Sequence, residues 1–191
     1  MSTLWLLRHA QVDCAPGQCY GASDVPALAE ATRDAAVRAA RVLPADVPLR
    51  SSPLQRCTDL ARALRPAHAL ITDARLAEMN FGGWEGGPWS AIARHEFDAW
   101  TADFGDGRAG GHGESTRQFM ARVGTAFEEW RAAGEDAIWV THAGVMRAVL
   151  LWRAGTRHVV RADQWPSQQI GFGEVLRIDL QAPSNPSAQL A

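Results

Sequence analysis

The sequence contains no lysine, so all 19 of its basic residues are arginine. A chain without lysine cannot form a Schiff base, attach pyridoxal phosphate or complete a Walker-type phosphate loop. Cysteine is also scarce. The three residues Cys14, Cys19 and Cys57 are odd in number and lack the paired short spacing of a zinc site. We therefore expect free thiols in a reducing compartment.

The chain has no strong excess of charge of either sign and no long hydrophobic run. Its formal net charge of −2 gives no overall attraction to nucleic acid or to an anionic membrane, so any anion must be bound by a local cluster. The longest apolar run, residues 148–152, is too short to cross a bilayer, and the first residues do not have the pattern of a secretory signal. These absences predict a cytoplasmic protein with no nucleic-acid partner and no membrane partner.

The length and the order of the segments predict the fold class. The 191 residues, 47% of them hydrophobic and 21% charged, suffice for one domain with a sizeable core. We assign residues 1–181 to that domain and predict a disordered tail for residues 182–191. Strand-like runs alternate with amphipathic segments, which predicts an α/β fold, a three-layer α/β/α sandwich around a mainly parallel central sheet.

Periodicity and end signals locate the elements of this fold. The predicted helices cover residues 28–43, 53–64, 88–100, 115–134 and 145–152, and Gly134 ends the fourth of them. Besides the two strands described next, β-like runs occur at residues 49–52, 69–72, 168–172 and 175–178.

Two apolar strands each end in a histidine. Leu4-Trp5-Leu6-Leu7 is followed by Arg8 and His9, which should lie just past the carboxyl end of the strand, and residues 137–141 are followed by His142. In open α/β sheets, ligands bind outside the carboxyl ends of the strands. The sequence therefore predicts a site at this edge to which both histidines contribute.

A third segment brings another arginine to the same edge. Ser51-Ser52-Pro53-Leu54-Gln55-Arg56 has the pattern of a helix start, with Ser52 as N-cap, Pro53 as first helical residue and Gln55 as the second half of a capping box. Arg56 then lies in the first turn, beside free backbone N–H groups that favour an anion.

These residue types suit the handling of a phosphoryl group. The guanidinium groups of Arg8 and Arg56 match its oxygens, and a histidine could accept it as a nucleophile. A carboxylic acid is needed to protonate the leaving oxygen. Two carboxylates, Glu78 and Glu85, lie in the glycine-rich loop of residues 76–87, and Glu78 is the nearer candidate, with Glu85 left open as a competitor.

Each of these residues also has an ordinary structural explanation. Either histidine could be a structural strand-end residue, Arg56 could be solvated, and both glutamates could point at water. The two histidines could instead bind a metal, but no third ligand has a metal-like spacing to either of them. The phosphate interpretation depends on the joint placement of the residues at one edge.

Three motifs then resemble the histidine phosphatase superfamily, which includes the cofactor-dependent phosphoglycerate mutases. Leu6-Leu7-Arg8-His9-Ala10 is similar to its Arg-His-Gly signature, and Ser51-Ser52-Pro53-Leu54-Gln55-Arg56-Cys57 to its Ser-Pro-x-x-Arg segment. Val140-Thr141-His142-Ala143-Gly144 is similar to its second-histidine motif. The order and spacing agree from about Leu4 to Leu180.

The resemblance implies a phosphoglycerate mutase-like fold and a role for each residue. His9 would be the phosphorylated nucleophile, Arg8, Arg56 and His142 would hold the phosphoryl oxygens, and Glu78 would be the general acid. His9, Glu78 and His142 are thus the expected catalytic residues, in a phosphatase that needs no cofactor and no metal because arginines supply the positive charge. The expected partner is a small phosphorylated substrate, and a homodimer is left open.

Within the superfamily the chain most resembles the α-ribazole phosphatases of cobalamin biosynthesis. The supporting stretches are Glu78-Met79-Asn80-Phe81-Gly82-Gly83-Trp84-Glu85-Gly86, Gly113-Glu114-Ser115 and Cys19-Tyr20-Gly21. A broad-specificity phosphatase and a phosphoglycerate mutase-like enzyme are the alternatives. Ala10 and Val12 replace the usual glycine and threonine of the first motif, so a non-catalytic phospholigand-binding domain is a further alternative.

Overall fold

The computed structural model describes residues 2–180, so the prediction for the tail at 182–191 lies outside the described residues. Five strands are present, β1 (Ser2–Arg8), β2 (Leu49–Ser51), β3 (Ile71–Thr72), β4 (Ala137–Thr141) and β5 (Val175–Leu180). Five α-helices accompany them, α1 (Ala29–Ala40), α2 (Gln55–Leu64), α3 (Arg94–Ala102), α4 (Thr116–Ala133) and α5 (Ala143–Arg153). In this part of the chain, every helix is too short or too polar to cross a membrane.

The strands form one mainly parallel sheet in the order β3-β2-β4-β1-β5. β1 and β2 both pair in parallel with β4, and β2 pairs in parallel with β3. β5 runs antiparallel to β1 at the sheet's edge. The register places Arg8 opposite Thr141, so β1 and β4 end side by side and their next residues, His9 and His142, start from the same edge.

Both faces of the sheet are covered, which confirms the three-layer α/β/α prediction. Leu4 and Leu6 of β1 pack with Trp139 into the core that includes α4 and α5. Leu7 packs with Ile138 and Val140 into a second core that includes α1 and α2. Successive strand residues point to opposite faces, so an uninterrupted apolar run is what a central strand of such a sheet requires.

The predicted helix at 115–134 is confirmed, with its ends. The Ser115 hydroxyl accepts from the backbone N–H of Gln118, and the Gln118 side chain accepts in return from the N–H of Ser115, forming a capping box. Gly134 ends α4 with a φ of +67°, a left-handed conformation that glycine adopts without strain.

Other predicted elements differ in the structure. The helix expected at 88–100 is a 3-10 turn at Trp89–Ala91 followed by α3. The β-like run at 168–172 is irregular, because β5 already fills the position beside β1. β1 extends one residue further than expected, so Arg8 is its last residue and not the first one past it.

The predicted capping of α2 is wrong. α2 begins at Gln55 with Leu54 as N-cap, and the N-cap side chain makes no hydrogen bond. Instead, the Asp24 carboxylate accepts from the Gln55 N–H at 2.6 Å, so the cap comes from a distant loop. The Ser52 hydroxyl accepts from Leu54 N–H at 3.3 Å and also contacts His142 at 2.8 Å.

Candidate active site

The adjacent ends of β1 and β4 bring the two predicted histidines together. The backbone N–H of His9 donates to the Thr141 carbonyl at 2.9 Å, so the pairing of the two strands continues into the first histidine. The imidazole rings of His9 and His142 have centroids 5.1 Å apart, and both side chains are buried. The position of both histidines follows from the sheet register alone.

His9 is held as a neutral imidazole with one free nitrogen. Its Nδ1 lies 2.7 Å from the Ala10 carbonyl oxygen, which can only accept, so Nδ1 carries the proton and Nε2 has a free lone pair. Burial, together with the positive charges of Arg56 and Arg8, lowers the pKa of His9 to about 3. His9 therefore remains unprotonated, and able to act as a nucleophile, well below neutral pH.

Arg56 and His142 lie behind His9, in the interior. Arg56 is completely buried, and its Nε donates to His142 Nδ1 at 3.3 Å. The acceptor role of Nδ1 leaves the His142 proton on Nε2, which lies 2.8 Å from Ser52 Oγ. Burial lowers the pKa of His142 well below its usual value, with further contributions from His9 and Arg56.

Arg8 approaches the same place from the end of β1. Its guanidinium lies 4.0 Å from the centre of the Phe172 ring, and its Nη1 donates to the Ile170 carbonyl at 2.5 Å. Its Nε is buried and has no hydrogen-bond partner among the described residues. Arg8 therefore lines the cavity described below with a guanidinium group whose donors the described residues do not all satisfy.

Glu78 is placed by backbone N–H groups from two elements. Oε1 accepts from the N–H of Met79 at 3.0 Å, and Oε2 accepts from that of Gly144 at 3.0 Å, at the start of α5. A methyl group at Gly144 would lie 2.1 Å from Oε1, so only glycine permits this approach. The carbonyl of Glu78 accepts from Arg122, which is paired with Glu114.

Glu85 lies in the same loop, but its carboxylate binds the turn at residues 21–23 and the backbone of Phe81. Its carboxylate accepts from the backbone N–H groups of Ala22, Ser23 and Phe81, and from the Ser23 hydroxyl. Four donors thus occupy its oxygens, and the residue does not line the cavity described next. The geometry therefore favours Glu78 over Glu85 as a proton donor.

A cavity of about 460 Å³ opens in front of these residues. Arg8, His9 and Glu78 line it, whereas Arg56 and His142 lie deeper. Its outer part is aromatic and uncharged, with Tyr20, Phe81, Trp89 and Phe172 as walls and Gln11 and Gln18 beside them. Trp84 belongs to the core, whereas Trp89 lines the cavity.

Sequence reasoning missed several contributors to this site. Ser52 contacts His142, Gly144 receives Glu78, and Phe172 covers Arg8. Gly144 stands in the second-histidine motif, two residues after His142, and that position was a usable signal. Phe172 carried no such signal, because the run around it has the pattern of a strand.

Within residues 2–180, no three histidine, cysteine, aspartate or glutamate side chains form a group suited to a metal ion.

Comparison with known proteins agrees with the geometry. Residues 4–173 match the profile of the histidine phosphatase superfamily (branch 1). A glucosyl-3-phosphoglycerate phosphatase of Mycolicibacterium vanbaalenii is 30% identical over 179 residues, which cover 85% of this chain and 77% of the relative.

Two solved structures are also similar. The native structure of a mycobacterial glucosyl-3-phosphoglycerate phosphatase has a TM-score of 0.76 at 26% identity, over 92% of this chain and 89% of the other. An Escherichia coli protein, assigned only provisionally as an α-ribazole-5′-P phosphatase, has a TM-score of 0.78 at 21% identity, over 94% and 91%. The latter likeness shows the fold alone. The family match and the phosphatase relatives establish that the chain belongs to the histidine phosphatase superfamily and is a phosphoric monoester hydrolase.

Proposed function

We propose that the protein is a phosphomonoesterase that acts through a phosphohistidine on His9, and that α-ribazole 5′-phosphate is its substrate. The observation that carries the proposal is the state of His9. The imidazole is neutral, its Nδ1 is engaged by the Ala10 carbonyl, and it lines one cavity together with Arg8 and Glu78. A free Nε2, a cation and a carboxyl group around one space are the parts needed for phosphoryl transfer.

In the first step, His9 Nε2 attacks phosphorus and the bond from phosphorus to the ester oxygen breaks. Glu78 gives its proton to the leaving oxygen, which departs as an alcohol. Arg8, Arg56 and His142 stabilise the charge on the phosphoryl oxygens. For His142, this requires the Nε2–H group to exchange Ser52 Oγ for a phosphoryl oxygen. Arg56 uses three of its five N–H groups on protein acceptors, at His142, Ser23 and Gly21, and therefore keeps two for an anion.

In the second step, water attacks the phosphohistidine. The Glu78 carboxylate takes a proton from the water as its oxygen bonds to phosphorus, and the bond from phosphorus to Nε2 breaks. Inorganic phosphate leaves, and His9 and Glu78 return to their starting states. The low pKa of His9, about 3, helps this step because the imidazole leaves as a neutral group.

The lining of the cavity supports a substrate with an uncharged ring. Arg8 is the sole arginine among the residues that line it, and its place beside His9 assigns it to the phosphoryl group. Beyond it, the walls are aromatic rings with two glutamine amides. Rings of this kind stack on a planar base, and the amides suit ribose hydroxyls.

The relatives support a second candidate, glucosyl-3-phosphoglycerate. One relative, 30% identical to this chain, is a glucosyl-3-phosphoglycerate phosphatase. That substrate has a carboxylate beside its phosphate, and a carboxylate is expected to need a further cation. Apart from Arg8, which is assigned to the phosphoryl group, the residues that line this cavity include no arginine. We therefore place α-ribazole 5′-phosphate first.

Phosphate release from three esters, with a chelator present, tests the proposal. The esters are α-ribazole 5′-phosphate, glucosyl-3-phosphoglycerate and p-nitrophenyl phosphate, each with the native chain and with His9→Ala. We expect the highest kcat/KM for the ribazole and no release by the variant. A preference for the glucosyl ester would replace the substrate and keep the mechanism. Tight phosphate binding without release would indicate a phospholigand-binding domain instead.

A further inference from the structure

The Glu85 carboxylate accepts hydrogen bonds from three backbone N–H groups in two separate segments of the chain. It accepts from the N–H groups of Ala22 at 2.9 Å, Ser23 at 2.7 Å and Phe81 at 2.8 Å, and also from the Ser23 hydroxyl. Hydrogen bonds to an ionised acceptor are about twice as strong as those between neutral groups. Glu85 therefore holds the turn at residues 21–23 against the loop that carries Phe81.

Arg56 holds the same turn from its other side. Its Nη1 donates to the Ser23 carbonyl at 2.7 Å, and its Nη2 donates to the Gly21 carbonyl at 2.5 Å. The N–H groups of the turn thus face a carboxylate, and its carbonyl groups face a guanidinium. The Glu85 carboxylate and the Arg56 guanidinium are thus linked through the three residues of the turn.

The turn and the carboxylate are in direct contact. A methyl group at Gly21 would lie 2.5 Å from Glu85 Oε1 and 2.4 Å from the Met79 carbonyl oxygen, and Gly21 has a φ of +23°. Tyr20, just before the turn, lines the cavity and lies with its ring 5.1 Å from the Arg56 guanidinium. A shift of the turn would therefore displace both a wall of the cavity and the acceptors of Arg56.

We propose that Glu85 is a positioning residue for phosphoryl transfer, which acts through the turn at 21–23 by fixing Arg56 and Tyr20. The inference rests on the proposed roles of His9, Arg56 and Glu78. A glutamine at this position cannot replace the carboxylate, because its NH₂ group would face backbone donors. Glu85 takes no part in proton transfer, so its loss should weaken binding of the phosphoryl group without changing the need for an acid.

Hydrolysis of two aryl phosphates by Glu85→Gln and Glu78→Gln tests this role. Phenyl phosphate has a poor leaving group that needs an acid, and 2,4-dinitrophenyl phosphate has a good one that does not. We expect Glu85→Gln to lose about 10- to 100-fold in kcat/KM on both esters alike, with the pH profile unchanged in shape. Glu78→Gln should lose far less on the dinitrophenyl ester.

Inhibition by vanadate separates positioning from loss of folded protein. A smaller folded fraction lowers the rate but leaves the inhibition constant unchanged, whereas a displaced Arg56 raises it. We expect the constant to rise at least several-fold in Glu85→Gln. Glu85→Asp keeps the charge but is one methylene shorter, so its rate should fall and its vanadate inhibition constant should rise by smaller factors. If Glu85→Gln does not fold, the same two measurements on Glu85→Asp test the inference. Glu129→Gln, a carboxylate on the surface of α4 paired with Arg50 and Arg75, is the matched control.

The outcomes distinguish this inference from the proposed function. No hydrolysis by the native chain would overturn the proposed function itself. With an active native chain, a native rate and a native vanadate constant in Glu85→Gln would overturn the inference alone. Sparing of the dinitrophenyl ester by Glu85→Gln would also overturn it, because that result would make Glu85 the acid.

Discussion

The site has two regions that differ in burial and in origin. The inner region consists of His9, Ser52, Arg56 and His142, which are between 0% and 2% exposed. Three of them directly follow a strand, and Arg56 lies in the first turn of α2. The outer region consists of Tyr20, Phe81, Trp89 and Phe172, which lie on loops or, for Trp89, in a 3-10 turn. Trp89 is 37% exposed and Phe172 40%. The difference supports the proposal that the sheet fixes the chemistry and that the loops set substrate choice.

Glu78 lines the same cavity as His9 and the aromatic residues of the outer region. Among the substitutions that leave His9 in place, its loss should have the largest effect. We expect Glu78→Gln to lower kcat on an ester with a poor leaving group by about 10² to 10⁴-fold, the usual contribution of a general acid. On an activated aryl ester, the loss should be much smaller. Equal losses on both esters, measured as initial rates at saturating substrate, would assign Glu78 to binding and place the acid elsewhere.

Gly144→Ala should reproduce most of that effect without removing the carboxylate. The new methyl group would lie 2.1 Å from Glu78 Oε1, and the flexible side chain can move away, so the fold should persist while the acid is displaced. A displacement of about 1 Å can cost about 10²-fold in rate. In a double variant with Glu78→Gln, Gly144→Ala should lower the rate little further.

Gly87→Ala is the matched control for Gly144→Ala. A methyl group at Gly87 would meet its nearest neighbour, the Trp84 carbonyl oxygen, at an ordinary 3.8 Å. Thermal unfolding of both variants would show whether either one is destabilised. Native rates in a folded Gly144→Ala would contradict the placement of Glu78.

The sequence predicts residues that follow a strand, but it does not predict contacts between residues far apart in the chain. Arg8, His9 and His142 are identified because apolar strands end beside them, and parallel pairing brings those ends together. The cap of α2 was predicted wrongly because Asp24, 31 residues from Gln55, supplies it. No local pattern contains a contact of that kind.

Phe172 of the outer region was missed for the same reason. The run around Phe172 has a strand-like pattern, but the edge beside β1 is occupied by β5. Phe172 instead covers Arg8 through a tertiary contact. Glu78 and Glu85 could not be separated from sequence either, because the distinction depends on which backbone N–H groups face each of them.

Substitution in the outer region should change substrate preference more than rate. We expect Phe172→Ala to lower kcat/KM for an ester with an aromatic base by about 3- to 10-fold relative to a sugar phosphate, from the loss of ring packing. Phe97→Ala is the control, because Phe97 is also 40% exposed but packs on Trp84 and Trp100 away from the cavity. An equal loss on both esters would show that Phe172 serves the phosphoryl group.

The smallest effect concerns stability in acid. His9 has a pKa of about 3 in the folded chain against an ordinary 6.5, so between these values the unfolded chain binds more protons and stability falls as pH falls. His9→Ala removes this contribution, and its free energy of unfolding should decline less steeply than that of the native chain, by up to about 1.4 kcal/mol per pH unit below pH 6. Urea unfolding at pH 7 and pH 5 measures the difference. Parallel slopes would place His9 in a more solvated setting.

The most direct test of the account is to trap the phosphorylated enzyme. The native chain is mixed with a ³²P-labelled ester, quenched in alkali within milliseconds and digested, because phosphohistidine survives alkali and is lost in acid. The account predicts acid-labile label on the peptide that contains His9, formed fast enough for turnover and absent in His9→Ala. Turnover with no label, or with label on a residue other than His9, would contradict it.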